Sequence, residues 1–195
     1  EINHELQDRI TEQRYYMALA IHYRRTNEPQ IAIHNCQKAI DLTKNLGDNI
    51  ALARAYGTLA NIYADLTEKN MSNDFYRKAL EICVQTGDKE YERVVYLNLG
   101  DLYVDTNVED AYRYYYQSLM ISEYIYDNFL SEQHLLSYFS QPNSYLKTIY
   151  LSLKTGRYLE CYNLLERGKS IALLNLMSLT VLAPKKTLLP NVKTL

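Results

Sequence analysis

A run of alternating tyrosines and small residues returns three times at intervals of forty: Tyr16-x2-Leu19-Ala20-x2-Tyr23, Tyr56-x2-Leu59-Ala60-x2-Tyr63 and Tyr96-x2-Leu99-Gly100-x2-Tyr103. A second run keeps pace with it, as Ala32-x3-Cys36-x2-Ala39, Ser72-x3-Tyr76-x2-Ala79 and, one residue early, Ala111-x3-Tyr115-x2-Ser118. Spacings of three, four and seven place such residues on one face of a helix. Two helical runs per forty residues make each unit a helical hairpin. Ala20, Ala60 and Gly100 allow the two helices to approach closely, and the flanking aromatic residues fill the space between hairpins. One hairpin cannot bury its own apolar face, so hairpins must stack and share a continuous core.

Punctuation agrees with the period. Thr26-Asn27-Glu28-Pro29 ends a first helix expected from Glu5 to Arg25, and Pro29 suits the first turn of the next. Leu46-Gly47-Asp48 and Gly87-Asp88 repeat at forty, a glycine for the left-handed close of one helix and an aspartate to cap the following one. Asn70 is expected at the second turn, and the third turn, Asp105 to Val108, should be one residue shorter. The expected organisation is three hairpins over residues 1–130 (about 5–47, 48–87 and 88–130). A degenerate fourth hairpin and junction helix follow over 131–182, then a linker or tail over 183–195.

These runs resemble the tetratricopeptide repeat (TPR), whose pattern is W-x2-L-G-x2-Y…A-x3-F. Tyrosine stands here for the leading tryptophan, and Cys36, Tyr76 or Tyr115 for the phenylalanine. The resemblance implies an all-α, right-handed solenoid of antiparallel hairpins and a protein-binding role. The forty-residue period is similar to the Leu-Gly-Asn repeats of Pins-type adaptors, with Leu59-Ala60-Asn61 near that triplet, and to kinesin light chains. A narrower resemblance rests on Lys154-Thr155-Gly156-Arg157-Tyr158-Leu159-Glu160-Cys161 and Leu165-Glu166-Arg167-Gly168-Lys169-Ser170-Ile171-Ala172-Leu173-Leu174. These look like the segment joining repeats to the protease-like domain of TPR-CHAT proteins. It implies that the repeats serve a downstream caspase-like domain. An apolar run nearly all round a helix, including Leu173, Leu174, Leu176 and Met177, demands burial on more than one side. It is read as an interface to a further domain or a second chain.

The chain's 195 residues and formal net charge of −2 argue against nonspecific nucleic-acid binding, which needs a strong positive field. Even Tyr112-Arg113-Tyr114-Tyr115-Tyr116, which could stack on bases, has acidic neighbours in Glu109 and Asp110; Tyr112, Tyr115 and Tyr116 are expected to face the core. No apolar run reaches membrane-spanning length. Three widely spaced cysteines, Cys36, Cys83 and Cys161, read as core residues in a reducing, cytoplasmic setting. The polar start and the missing initiator methionine are read as those of a fragment or processed chain.

Nothing in the sequence assembles an enzyme. His34 and Cys36 point to different sides of a helix, and Gly168-Lys169-Ser170 lacks the preceding glycine of a phosphate loop. No metal motif appears and no cofactor is expected. Function should therefore lie in the concave groove lined by the first helices. Counted from the signature tyrosine, groove positions fall two before it and one, two, five and eight after. They give Arg14, Met17, Ala18, Ile21 and Arg24; then Arg54, Gly57, Thr58, Asn61 and Ala64; then Val94, Leu97, Asn98, Asp101 and Val104, with Asp65 and Asp105 alongside. Asn61 and Asn98 can donate to and accept from a peptide main chain at once. The drift from Arg14, Arg24 and Arg54 to Asp101 and Asp105 would orient a segment of opposite polarity. Capture of a signalling peptide by an intracellular regulator, and a fragment of an active protease, remain alternatives. A carboxylate clamp for chaperone tails is not expected, because Met17, Ile21, Thr58 and Val94 occupy positions that it needs.

Overall fold

A computed structural model of the chain describes residues 2–128 and 143–167. The described elements are all helical: α1 (Ile2–Arg25), α2 (Pro29–Leu46), α3 (Asn49–Asp65), α4 (Lys69–Thr86), α5 (Lys89–Tyr103), α6 (Val108–Asn128) and α7 (Asn143–Lys154), then a helical segment at residues 158–167. Odd-numbered helices pair with the even ones that follow, and each pair stacks on the next through α2 on α3, α4 on α5 and α6 on α7. The result is an all-α solenoid of hairpins. The stretch 129–142 and the apolar run with Leu173, Leu174, Leu176 and Met177 lie outside the described residues.

The punctuation works as the sequence implies. Gly47 and Gly87 close α2 and α4 at φ 68° and 72°. A side chain there would force the same left-handed backbone on an L-residue. Asp48 accepts from the Ala51 amide at 2.9 Å and Asp88 from the Tyr91 amide at 3.0 Å, each satisfying a donor that the first helical turn leaves open. Pro29 lies in the first turn of α2. Asn70 is not at the second turn but inside the first turn of α4; the turn itself is Leu66–Glu68, with Thr67 left-handed at φ 62°. Asn27, one period earlier, holds the same φ of 62°. The third turn is not shorter: residues 104–107 separate α5 from α6, against 66–68 between α3 and α4, and the lost residue comes from α5, which ends at its second tyrosine, Tyr103. Asn107 there caps α6 through the Asp110 amide at 3.1 Å.

The core consists of the recurring residues. Ala20, Ala32, Cys36, Ala39, Leu59, Ala60, Tyr76, Ala79, Leu99, Ala111 and Tyr115 are buried. An aromatic layer accounts for much of the tyrosine content. Phe75 stacks between Tyr56 and Tyr63, with ring centroids 6.0 and 5.6 Å away, and Tyr114 sits between Tyr96 and Tyr103 at 6.3 and 5.7 Å. The three cysteines are buried free thiols, and burial pushes Cys36 and Cys83 up to about 12.

Candidate functional site

Two side chains five residues after the signature tyrosines anchor the groove. In the second hairpin this position is Asn61, whose Oδ1 accepts from the Tyr76 hydroxyl of α4 and from Asn98 Nδ2 of α5 at 3.4 Å. In the third it is Asp101, whose Oδ1 accepts from the Tyr115 hydroxyl of α6 at 2.6 Å and from Lys147 Nζ of α7. The plan is the same in both. A buried tyrosine on the hairpin's second helix reaches the acceptor from behind, and a donor on the next first helix reaches it from the side. Burial raises both phenols above their ordinary range, and at Tyr115 the bond to Asp101 adds to the shift, so each hydroxyl stays a donor.

These contacts leave specific atoms open. Asn61 Oδ1 is occupied twice, whereas Asn61 Nδ2 and Asn98 Oδ1 have no partner among the described residues. Both side chains line a concave pocket of about 320 Å³ with Arg24, Ala64, Asp65, Thr67, Lys69, Tyr76, Asp101, Leu102 and Asp105. Seven of the seventeen groove residues expected from the sequence, Arg24, Asn61, Ala64, Asp65, Asn98, Asp101 and Asp105, thus share one pocket. Thr67 lines it from a left-handed backbone unusual for a β-branched residue.

The other expected residues stand outside that pocket. Arg14 is exposed and Ile21 partly exposed on α1. Arg54 lies over the Tyr91 ring, 5.8 Å from its centroid, and pairs with Asp88 at 3.7 Å. Gly57, also assigned to the groove, is buried beneath Tyr91; a Cβ there would overlap the tyrosine hydroxyl. The charge drift is mostly compensated within the protein. Arg24 forms a two-pronged pair with Asp65 at 2.6 and 3.3 Å, Arg54 turns to Asp88, and Lys147 covers Asp101. Of the groove charges named from the sequence, Arg14 and Asp105 make no ion pair among the described residues.

The sequence reading placed a degenerate fourth hairpin here but assigned no groove positions to α7 (Asn143–Lys154). Gly156, at φ 73°, closes a turn in which the Arg157 amide donates to Ser152 O at 2.8 Å, as Glu28 does to Tyr23 O and Glu68 to Tyr63 O. Asn27 and Thr67 each lie eleven residues after a signature tyrosine, and eleven residues before Gly156 is Tyr145. In this fourth hairpin Thr148 and Ile149 stand where Leu and a small residue stood before, which hid the signature. The turn carried the surviving signal.

Among the described residues, no three His, Cys, Asp or Glu side chains could together hold a metal, and no helix is long and apolar enough to cross a membrane. Residues 12–83 match the family model described as tetratricopeptide repeat. The hairpins within that span are similar to tetratricopeptide repeats. None of the curated proteins compared matches the chain. Among solved structures, the solenoid is similar to BtubC from P. vanneervenii, at 18% identity and TM-score 0.68, covering 94% of this chain and 69% of that one. It is similar to aspartyl phosphate phosphatase F from Bacillus subtilis, at 16% and 0.70, covering 86% and 42%. It is also similar to the Rap conjugation gene regulator of plasmid pLS20 in complex with the Phr* peptide, at 15% and 0.54, covering 75% and 43%. The chain thus spans less than half the length of the last two. These likenesses show the fold.

Proposed function

We propose that the concave groove binds an extended segment of a partner protein, with the segment's main chain held by Asn61 and Asn98. One observation carries this reading. Tyr76 and the Asn61–Asn98 contact fix both amides, and the atoms left over are one donor, Asn61 Nδ2, and one acceptor, Asn98 Oδ1, in the same pocket. A peptide unit offers the complementary carbonyl and amide, and main-chain bonding does not depend on the partner's sequence. Because Arg24 and Asp101 are already paired, they and Asp105 set orientation more than affinity; exposed pairs contribute about 0.2–1 kcal/mol each.

The test is capture of a partner with the full chain, followed by its titration against an Asn61→Ala/Asn98→Ala variant. The expected result is affinity lower by about tenfold or more, since each hydrogen bond is worth about 1 kcal/mol, with the unfolding midpoint unchanged. A captured partner that binds the variant as tightly as wild type sinks the reading.

The chain's place in a larger protein belongs to the same proposal. The run around Glu166 to Leu176 supports the repeat and junction region of a cytoplasmic TPR-CHAT-like protein, with Leu173, Leu174, Leu176 and Met177 turned to a further domain or second chain. Capture of a small signalling peptide is the second reading, favoured by the fold shared with the pLS20 regulator, which was solved with a peptide.

A further inference from the structure

The fourth hairpin reproduces the contact that defines the groove. Asn98 lies two residues after its signature tyrosine and reaches Asn61, five after the preceding one. Lys147 lies two residues after Tyr145 and reaches Asp101, five after Tyr96. The equivalence places α7 beside α5 as a fourth first helix. The groove positions one, five and eight after Tyr145 are then Leu146, Tyr150 and Leu153. They are 60%, 59% and 51% exposed, on a helix whose other face buries Thr148, Leu151 and Ser152 completely. Three large apolar side chains at spacings of four and three form a continuous stripe on α7. The central groove, by contrast, presents amides and carboxylates.

We infer that Leu146, Tyr150 and Leu153 form an apolar subsite of the same groove, which takes an aromatic or large aliphatic side chain of an extended partner segment. This rests on the groove reading proposed above. The occupant follows from what adjoins the stripe. The open amide atoms at Asn61 and Asn98 suit an extended main chain. Lys147 is bound to Asp101, and Lys154 lies against the stripe with its Nζ 6.0 Å from the Tyr150 ring centroid, an arrangement compatible with an aromatic neighbour. Neighbouring packed helices are about 10 Å apart, so the subsite lies about 15 Å from the Asn61–Asn98 pair. An extended chain advances about 3.3 Å per residue, which puts the apolar side chain about four residues from the peptide unit that the asparagines hold.

The probe is a library of random dodecamer peptides displayed on phage and selected on the full chain. Enriched peptides are then titrated against wild type and the Asn61→Ala, Tyr150→Ala, Tyr150→Phe and Leu153→Ala variants. The expected peptides share an aromatic or large aliphatic residue. Their affinity falls about tenfold on Tyr150→Ala, survives Tyr150→Phe, and falls no further when the peptide's own apolar residue is also replaced by alanine. Tyr150 is exposed, so an unchanged unfolding midpoint is expected to separate binding from folding. Peptides weakened by Asn61→Ala but indifferent to both Tyr150→Ala and Leu153→Ala overturn the subsite and leave the groove reading intact. Peptides indifferent to Asn61→Ala as well overturn both, and a pool with no shared apolar residue overturns the subsite. If Tyr150→Ala instead converts a dimer to a monomer in sedimentation, the stripe contacts a second copy and the inference fails.

Discussion

The first hairpin and the two after it obey one pattern but fill it differently. In the second and third, an aromatic ring on the second helix, Phe75 or Tyr114, is layered between the two signature tyrosines. The first has the buried Asn35 there, with Nδ2 donating to Ile31 O at 2.8 Å. One position further on, Tyr76 and Tyr115 send hydroxyls through the hairpin to Asn61 and Asp101. Cys36 is too short to do so; its Sγ donates to Ala55 O of the next hairpin at 3.3 Å, and the groove position opposite is the apolar Ile21. A buried hydroxyl needs an acceptor, so the side chain inside each hairpin decides what the groove can show. Tyrosine inside goes with a polar floor, and cysteine inside goes with an apolar one.

The largest effect should come from making the second hairpin resemble the first. Tyr76→Cys removes a ring buried among Ala60, Ala79, Val95 and Leu99. Large-to-small changes at buried aromatics cost about 3–5 kcal/mol because the surroundings close the cavity only in part. The denaturant midpoint should fall accordingly, and Asn61 should lose the bond that fixes its amide. Cys36→Ala, which removes one sulfur, should cost far less. Equal losses at the two sites would show that the hairpins do not differ as described.

A smaller effect separates the second hairpin from the third. Ala60 and Gly100 hold the same position, yet a Cβ on Gly100 would overlap the Tyr115 ring, which is itself buried. Alanine is better than glycine in a helix by about 1 kcal/mol, but forcing an atom into a packed site costs about 1–3 kcal/mol. Gly100→Ala should therefore destabilise by thermal or denaturant unfolding, although propensity alone predicts the reverse. A stabilised variant would mean that the ring yields freely and that glycine is there for another reason.

Much of this was legible in the sequence because it is local. The Tyr-x2-Leu-small-x2-Tyr runs, the Gly-Asp stops and Pro29 report on residues within one or two turns of each other, and they place the hairpins. Asn61 and Asn98 were legible as groove residues for the same reason, by counting from a tyrosine. The pairings were not legible. Arg24 meets Asp65 and Lys147 meets Asp101 across 41 and 46 residues, and only the stacking of hairpins decides which charges are used up. The groove face of α7 was hidden because Thr148-Ile149 replaced the Leu-small pair, while Gly156 kept the register.

The smallest effect tests the hydroxyls alone. Tyr76→Phe and Tyr115→Phe keep the rings and remove one hydrogen bond each, worth about 1 kcal/mol. Tyr115→Phe should cost more, because its acceptor is a carboxylate, although Asp101 keeps Lys147 and contact with water. Both variants should also lose stability less steeply in alkali than wild type, because burial raises the Tyr76 phenol as well. Burial first, and the Asp101 bond second, hold the Tyr115 phenol above its ordinary 10.0. A group with a raised folded pKa contributes stability that is intact below its unfolded value and is lost as pH rises towards the folded one. Wild type should therefore weaken above about pH 10, and Tyr115→Phe should weaken less steeply over the same range. Only Tyr76→Phe should release the Asn61 amide, so it alone should lower the affinity of a groove peptide at neutral pH. If Tyr115→Phe lowers that affinity as much, the two acceptors act as one site and the division between an amide centre and a charged flank disappears.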